Sequence, residues 1–379
     1  MPSSTRPTIE DVDIFHGPLR YWFLENKRDL PWRRMFWNAY AVWVSEIMLQ
    51  QTQVATVIPY FERWMCSFPT VESLANAELE EVLQHWSGLG YYARGRNLHR
   101  AAKMVVDGYN GSIPQEQPAL LKLPGIGRYT SGAILSIAFN QPEPLVDTNV
   151  IRVLSRVFAI AGDPKSSAVS ETIWKFAKQL MPDGTASDHN QALMELGATL
   201  CIPVDPRCPR CPLVGICVAG NSPDPTLFPQ LAPGRATVQQ SHTSVIIERN
   251  GKYLMVQRYL NGLWGGLWEF PRRVANKGET ALQCAIRAAK EVVGLEVVPM
   301  ETVATVKHAV THHRIVLTGV LAVWQLGEPT RLDCAELRWL TLDELDSVAT
   351  SSPQSTIISK TKQKYRTSGV IQKEIPFEA

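Results

Sequence analysis

Two periods of apolar residues divide this chain. As far as the cysteines that end at residue 217, apolar positions recur at helical spacing. Past residue 244 they fall in short strand-like runs instead. The helical part predicts one helix over residues 40–57, an acidic one over 72–86 carrying Glu78, Glu80 and Glu81, and a basic one over 94–103. A short helix then ends near Lys122, and a second opens at Tyr129 with Ala133, Ile134, Ile137 and Ala138 on one buried face. Further helices cover residues 148–156 and 190–199. In the later part, 244–249 and 252–257 read as strands joined by Asn250-Gly251, a dipeptide suited to a tight hairpin turn. A helix over 281–293 and a strand over 314–326 follow. From Val218 to Gln240 periodicity lapses and Pro223, Pro225, Pro229 and Pro233 accumulate, which marks a linker. The expectation is a helical domain followed by an independent α+β domain.

Composition sharpens this picture in three ways. A length of 379 residues allows two or three domains, and 45% hydrophobic with 20% charged residues indicates a globular chain. A net charge of +2 means that any nucleic-acid face must be a local concentration of positive charge. No apolar run approaches the ~20 residues that span a bilayer, and Met1-Pro2-Ser3-Ser4 has no signal-peptide core. A soluble, cytoplasmic protein without membrane association is expected. Four of the seven cysteines, Cys201, Cys208, Cys211 and Cys217, fall within seventeen residues, whereas Cys66, Cys284 and Cys334 are scattered. In a reducing compartment such a cluster points to metal. Four thiolates suit zinc or a [4Fe–4S] cluster; the single short C-x2-C pair favours iron–sulfur over zinc, whose sites usually carry two.

Candidate chemistry gathers at a few points. The Leu123-Pro124-Gly125-Ile126-Gly127 turn leaves backbone N–H groups unshielded at a helix start, a site for one phosphate. Asp147 follows the apolar pair Leu145-Val146, where an ionised carboxylate is costly without a partner or a task, although a capping Asp would also fit. Glu46 interrupts an apolar stripe with Val42 and Leu49. If buried there, its proton affinity rises toward that of a general acid; at a helix edge it would merely be solvated. Gln50, Gln51 and Thr52 could enter a duplex in place of an extruded base. Arg28–Arg34 mixes cations with Trp32, and Gly88-Leu89-Gly90 precedes Tyr91-Tyr92 and the basic residues Arg94, Arg96, Arg100 and Lys103. Arg207 and Arg210 add positive charge to the cysteine loop.

Taken together, Leu30-Pro31-Trp32-Arg33, Trp43 to Thr52, Gly88 to Tyr92, the Pro124–Gly127 hairpin, Val146-Asp147 with Asn149, the four cysteines and Trp268-Glu269-Phe270-Pro271 resemble the MutY-type A/G-specific adenine glycosylases. That resemblance implies an all-α helix-hairpin-helix glycosylase core at 8–222, with a six-helix lobe at about 32–138 and an iron–sulfur lobe from 8–31 and 139–222. A linker at 223–240 and an α+β Nudix-like domain at 241–369 would complete the chain. It implies removal of adenine opposite 8-oxoguanine or guanine in double-stranded DNA by base flipping and protonation at N7, with the sugar cation shielded by a carboxylate. Glu46 would be the acid and Asp147 the shield, with Tyr129 and Asn149 orienting them. Leu30, Trp32, Arg33 and Gln191 would line the adenine pocket. Gln51, Thr52, Leu89, Tyr91, Gly125, Gly127, Val310, Thr311 and His312 would contact DNA. The four cysteines would hold [4Fe–4S], a monovalent or calcium ion could sit at the hairpin, and no nucleotide cofactor is needed; the protein would act as a monomer.

Some positions depart from the family pattern. Tyr129 stands where related lyases place a lysine, so a monofunctional hydrolase is expected. Thr148 replaces a common glycine. The C-terminal helix keeps Arg287, Glu291 and Gly294 but lacks other glutamates of a working Nudix box, which argues against nucleotide hydrolysis. Val310 removes the aromatic wedge of the 8-oxoguanine loop, and His308 or His313 could share that loop's role.

Overall fold

The computed structural model describes residues 12–234, 236–262 and 264–367. The expected domain ends at 8 and 369, and the signal-free N-terminus, lie outside the described residues. Contacts divide the chain into two units. One holds Asn97–Pro233 with the chain before Ala77; the other holds Ala77–Arg96 with the chain after Pro233. The grouping of Ala77–Arg96 with the second unit was not legible in the sequence, because the helical period of that segment says nothing about its tertiary neighbours.

The first unit is helical, as its apolar periodicity requires: α1 (Val12–Asn26), α2 (Ala39–Leu49), α3 (Val54–Ser67) and α4 (Val71–Asn76) precede the excursion. Within the excursion lies α5 (Leu79–Trp86), and α6 (Ala93–Tyr109) leads back. Then come α7 (Gln117–Leu120), α8 (Arg128–Ala133), α9 (Thr148–Val157), α10 (Ser167–Gln179) and α11 (Ala186–Thr199). The helix expected over 40–57 is broken at 50–53, where Gln51 takes a left-handed φ of 56°. A non-glycine residue there interrupts the helical ladder; Gln51 is left exposed, while Gln50 Nε2 donates to Thr130 Oγ1 at 3.4 Å. The acidic helix expected over 72–86 is likewise two, α4 and α5. α2 is buried from Tyr40 through Met48, so Glu46 sits inside a fully enclosed helix rather than on one polar edge. α8 continues as a π-helical turn, Ile134–Ala138, a local widening that still buries Ala133, Ile134 and Ile137. One core joins α1, α9, α10 and α11 through Phe15, Leu19, Phe23, Val150, Val153, Leu154, Ile173, Leu193 and Leu196.

Two short 3-10 turns, Ala219–Asn221 and Pro225–Leu227, lie in the linker region before β1. In the second unit, β1 (Val238–Arg249) pairs antiparallel with β2 (Lys252–Gln257) across Asn250 and Gly251, both at positive φ, as the Asn-Gly signal requires. The sheet order is β3 (Trp268–Glu269), β2, β1, β6 (His313–Leu326), β5 (Glu296–Val310). β4 (Arg272–Val274) flanks β1 and β7 (Glu336–Thr341) flanks β2, while β1 and β6 run parallel. Alternate residues of β1 serve opposite faces. Val245 and Ile247 pack with Ala285, Ala288, Ala289 and Val292 of α12 (Ala281–Val293), and Ile246 packs with Ile357 and Ile358 of α13 (Ser352–Thr367). Both faces are covered, so the strand reads as an apolar run rather than an alternation. Thr280 opens α12 with a reciprocal cap to Gln283, and Gly294 closes it in the left-handed region. Among the described residues no helix is long and apolar enough to cross a membrane.

Candidate active site

The break after α2, the 3-10 turn Pro31–Met35, the start of α8, the start of α9 and one face of α11 enclose a cavity of about 430 Å³. It brings together eight residues anticipated at the catalytic centre and base pocket: Leu30, Trp32, Arg33, Glu46, Tyr129, Asp147, Asn149 and Gln191. Gln51 and Thr52 line it as well. Leu30 and Trp32 are buried, so two walls are apolar and one is an indole face edge-on to Phe61.

Glu46 is 3% exposed, and burial pushes its carboxyl up to about 7. The Tyr129 hydroxyl donates to Glu46 Oε2 and works against that rise, as does the positive charge of Arg33, while Asp147 adds to it. The Tyr129 phenol itself is held neutral, first by burial and then by the negative charges of Glu46 and Asp147. Asp147 is the N-cap of α9: its Oδ1 accepts the Val150 N–H at 2.7 Å and its Oδ2 accepts Asn149 Nδ2 at 2.8 Å. Burial raises its carboxyl, opposed by those donors and by Arg152. The capping role weighed from the sequence is thus real, and it presents the same carboxylate to the cavity. Arg152 donates to Asn149 Oδ1 and to the carbonyl of Gly197, both from Nη2, and from Nε to the carbonyl of Cys201. The orienting amide is therefore itself held.

Sequence reasoning did not place Arg28, Ser45, Met194, Glu195 or Ala198 in this cavity, yet all line it. The signal was available on α11: Gln191, Met194, Glu195 and Ala198 follow i, i+3, i+4, i+7, one face of a helix. Gly197 was also missed. A Cβ there would meet Asn149 Cβ at 2.5 Å, so glycine lets α11 approach the head of α9.

The expected DNA contacts fall in different places. Gly125 takes φ 81° in the hairpin, and Gly127 caps α8. Tyr91 is exposed with φ 47°, and the Leu89 side chain beside it is 5% exposed. Arg94, expected among phosphate-binding cations, instead donates to the carbonyls of Leu89 and Gly90 and lies over the rings of Trp86 and Tyr91, and Arg96 donates to the carbonyl of Gly265. Both hold the second unit's own backbone. Val310, Thr311 and His312 form the β5–β6 turn, with Thr311 at φ 53°. Among the remaining acids of that unit, Glu291 is bound by Arg273 and Arg287, Glu279 by Arg287, and Asp333 by Arg273.

Cys201, Cys208, Cys211 and Cys217 line one apolar hollow with Val153, Leu196, Leu200 and Leu213, and none is in a disulfide. Arg156 donates toward Cys201 Sγ at 3.5 Å and the Gly220 N–H toward Cys217 Sγ at 3.2 Å. Arg156 also holds the carbonyls of Ile202, Pro203 and Phe228. Among the described residues, no three His, Cys, Asp or Glu side chains are placed to share a single metal ion. The donor set, four free thiols in an apolar hollow with N–H groups aimed at two sulfurs, fits a thiolate-bound cluster.

Comparison with known proteins agrees with the geometry. Residues 44–179 match the HhH-GPD superfamily base excision DNA repair protein family, and residues 242–360 match the NUDIX domain. Adenine DNA glycosylases of Rattus norvegicus and Homo sapiens are each 38% identical over 92% of this chain, covering 78% and 74% of their own lengths. A solved thermostable thymine-DNA glycosylase superposes with a TM-score of 0.50 at 26% identity, over 55% of this chain and 96% of its own. The chain therefore belongs to the adenine DNA glycosylases, with a helical HhH-GPD domain followed by a Nudix-like one.

Proposed function

We propose that this adenine DNA glycosylase removes adenine paired with 8-oxoguanine or guanine, using Glu46 as general acid and Asp147 to stabilise the sugar cation. One observation carries the reading: a buried carboxyl poised near neutrality shares a cavity of base size with a second carboxylate that accepts from the Val150 N–H and the Asn149 amide. Adenine everted into the cavity meets the Trp32 and Leu30 walls. Glu46 gives its proton to N7, the N-glycosidic bond breaks with its electron pair going to the base, and positive charge develops at the sugar. Asp147 lies against that charge, and Asn149 keeps its oxygens turned toward it. Water then adds at the sugar carbon, and its proton returns to the Glu46 carboxylate. Among the described residues no lysine lines the cavity, and Tyr129 stands at the hairpin helix instead, which supports a monofunctional hydrolase.

The β5–β6 turn, Val310-Thr311-His312, is the proposed reader of 8-oxoguanine, with Gln51 and Tyr91 entering the stack. The hairpin N–H groups around Gly125 and Gly127 are the proposed phosphate contact. Cys201, Cys208, Cys211 and Cys217 would hold a [4Fe–4S] cluster, which ties the loop of residues 201–217 to α9 and α11 when bound. The test is single-turnover base release from 8-oxoguanine:adenine and guanine:adenine duplexes. Glu46→Gln should slow release by about 10²-fold or more while duplex binding persists. Release at the wild-type rate would reject the acid assignment.

A further inference from the structure

Glu195 has no solvent exposure and sits at the back of the base cavity, on the same face of α11 as Gln191. It accepts Arg28 Nε at 2.6 Å and Arg28 Nη2 at 2.9 Å, and its Oε2 also accepts Arg33 Nη2 at 2.8 Å. Arg33 Nη1 in turn donates to the carbonyl of Arg28 at 2.9 Å. One carboxylate thus fastens two guanidinium groups that both line the cavity. We propose that Glu195 is a positioning residue which fixes Arg28 and Arg33 in the wall of the base pocket and offsets the positive charge that Arg33 presents to Glu46. The proposal rests on the reading of Glu46 as the acid.

The physical case has two parts. A buried carboxylate is retained only when partnered, and removing it would leave two cations in an enclosed cavity that must accept a proton on the base. Burial alone would raise the Glu195 carboxyl. The Arg28 and Arg33 bonds and charges outweigh it, so the carboxyl stays below the ordinary range and ionised. The groups acting on Glu46 are Tyr129 from α8, Asp147 from the head of α9 and Arg33 from the 3-10 turn. Of these, Arg33 is the cation, and its pull opposes the protonated acid. Glu195 is the counter-charge to that cation.

The experiment is the pH profile of single-turnover adenine release by the full-length protein. The rate falls as pH rises and Glu46 loses its proton. In Glu195→Gln, the unbalanced Arg33 favours the Glu46 carboxylate, so this fall moves to lower pH by about half a unit or more, a rate loss of about twofold or more at the wild-type midpoint. Glu195→Asp keeps the charge but cannot span both guanidinium groups. It should leave the midpoint in place and lower the rate throughout. This second variant decides the matter if the glutamine protein does not fold. A folded Glu195→Gln with the wild-type midpoint, or a Glu195→Asp midpoint displaced to lower pH by about half a unit or more, overturns the proposal. Glu46→Gln run alongside separates the two readings: a pH-dependent fall that survives in that variant removes the acid assignment itself, whatever Glu195 does.

Discussion

At the scale of single residues, the site runs on opposed environments for two carboxyls. Glu46 accepts from the neutral Tyr129 hydroxyl and is raised to about 7 by burial, whereas Asp147 is served by a backbone N–H, an amide and a nearby guanidinium. Glu46 folds into a place that favours its protonated form, so its contribution to stability is present at low pH and disappears as pH rises through about 7. The difference from an ordinary carboxyl of 4.5 is worth about 3 kcal/mol. Glu46→Gln, which cannot ionise, should therefore melt higher than wild type at about pH 8, with the advantage shrinking toward about pH 5. Thermal melts across that range check this, and an advantage that does not grow with pH would contradict it. Asp147→Asn should keep most of the α9 cap, since an amide oxygen can still accept the Val150 N–H, but should lose base release by orders of magnitude. Asp147 and Glu46 were both legible in the sequence because each is a charged residue in an apolar neighbourhood. Glu195 was not, since its partners Arg28 and Arg33 stand more than 160 residues away.

At the scale of elements, the packing of α11 on α9 sets the alignment of the catalytic groups. Gly197 allows this approach, and Arg152 ties Asn149 to the carbonyl of Gly197. Gly197→Ala should force the helices apart at Asn149, destabilise the fold by about 1–3 kcal/mol and slow adenine release more than duplex binding. Melting temperature and single-turnover rate together test this; a destabilised variant with the full rate would break the link between packing and alignment. Helices were well marked by apolar period, and α12 emerged with the expected ends because Thr280 and Gly294 signal its caps. The break between α2 and α3 was not marked. Residues 50–53 contain neither glycine nor proline, and only the surrounding fold holds Gln51 in a left-handed conformation.

For the whole molecule, two units carry two kinds of architecture, and each has its own enclosed core. The Nudix-like unit keeps its sheet and helices, but Glu279 and Glu291 are engaged by Arg273 and Arg287. Carboxylates held in ion pairs are poor ligands for Mg²⁺. Incubation with 8-oxo-dGTP and Mg²⁺ should therefore release no pyrophosphate above background. Release that disappears in Glu291→Gln would show a working hydrolase instead.

Much was settled by the order of residues alone. Apolar period separated a helical part from a sheet-bearing part, Asn250-Gly251 marked its hairpin, and the spacing of four cysteines marked one loop. Those signals are local, because a turn, a cap or a helical face depends on neighbours within a few positions. What the tertiary structure decided is which distant groups share a space. It turned Arg94 and Arg96 inward to brace a turn, buried Leu89, gathered Glu46 and Asp147 with Tyr129 around one cavity, and placed Glu195 behind Arg28 and Arg33. Charge and burial act through space rather than along the chain, so the proton affinity of the acid is a property of the assembled walls.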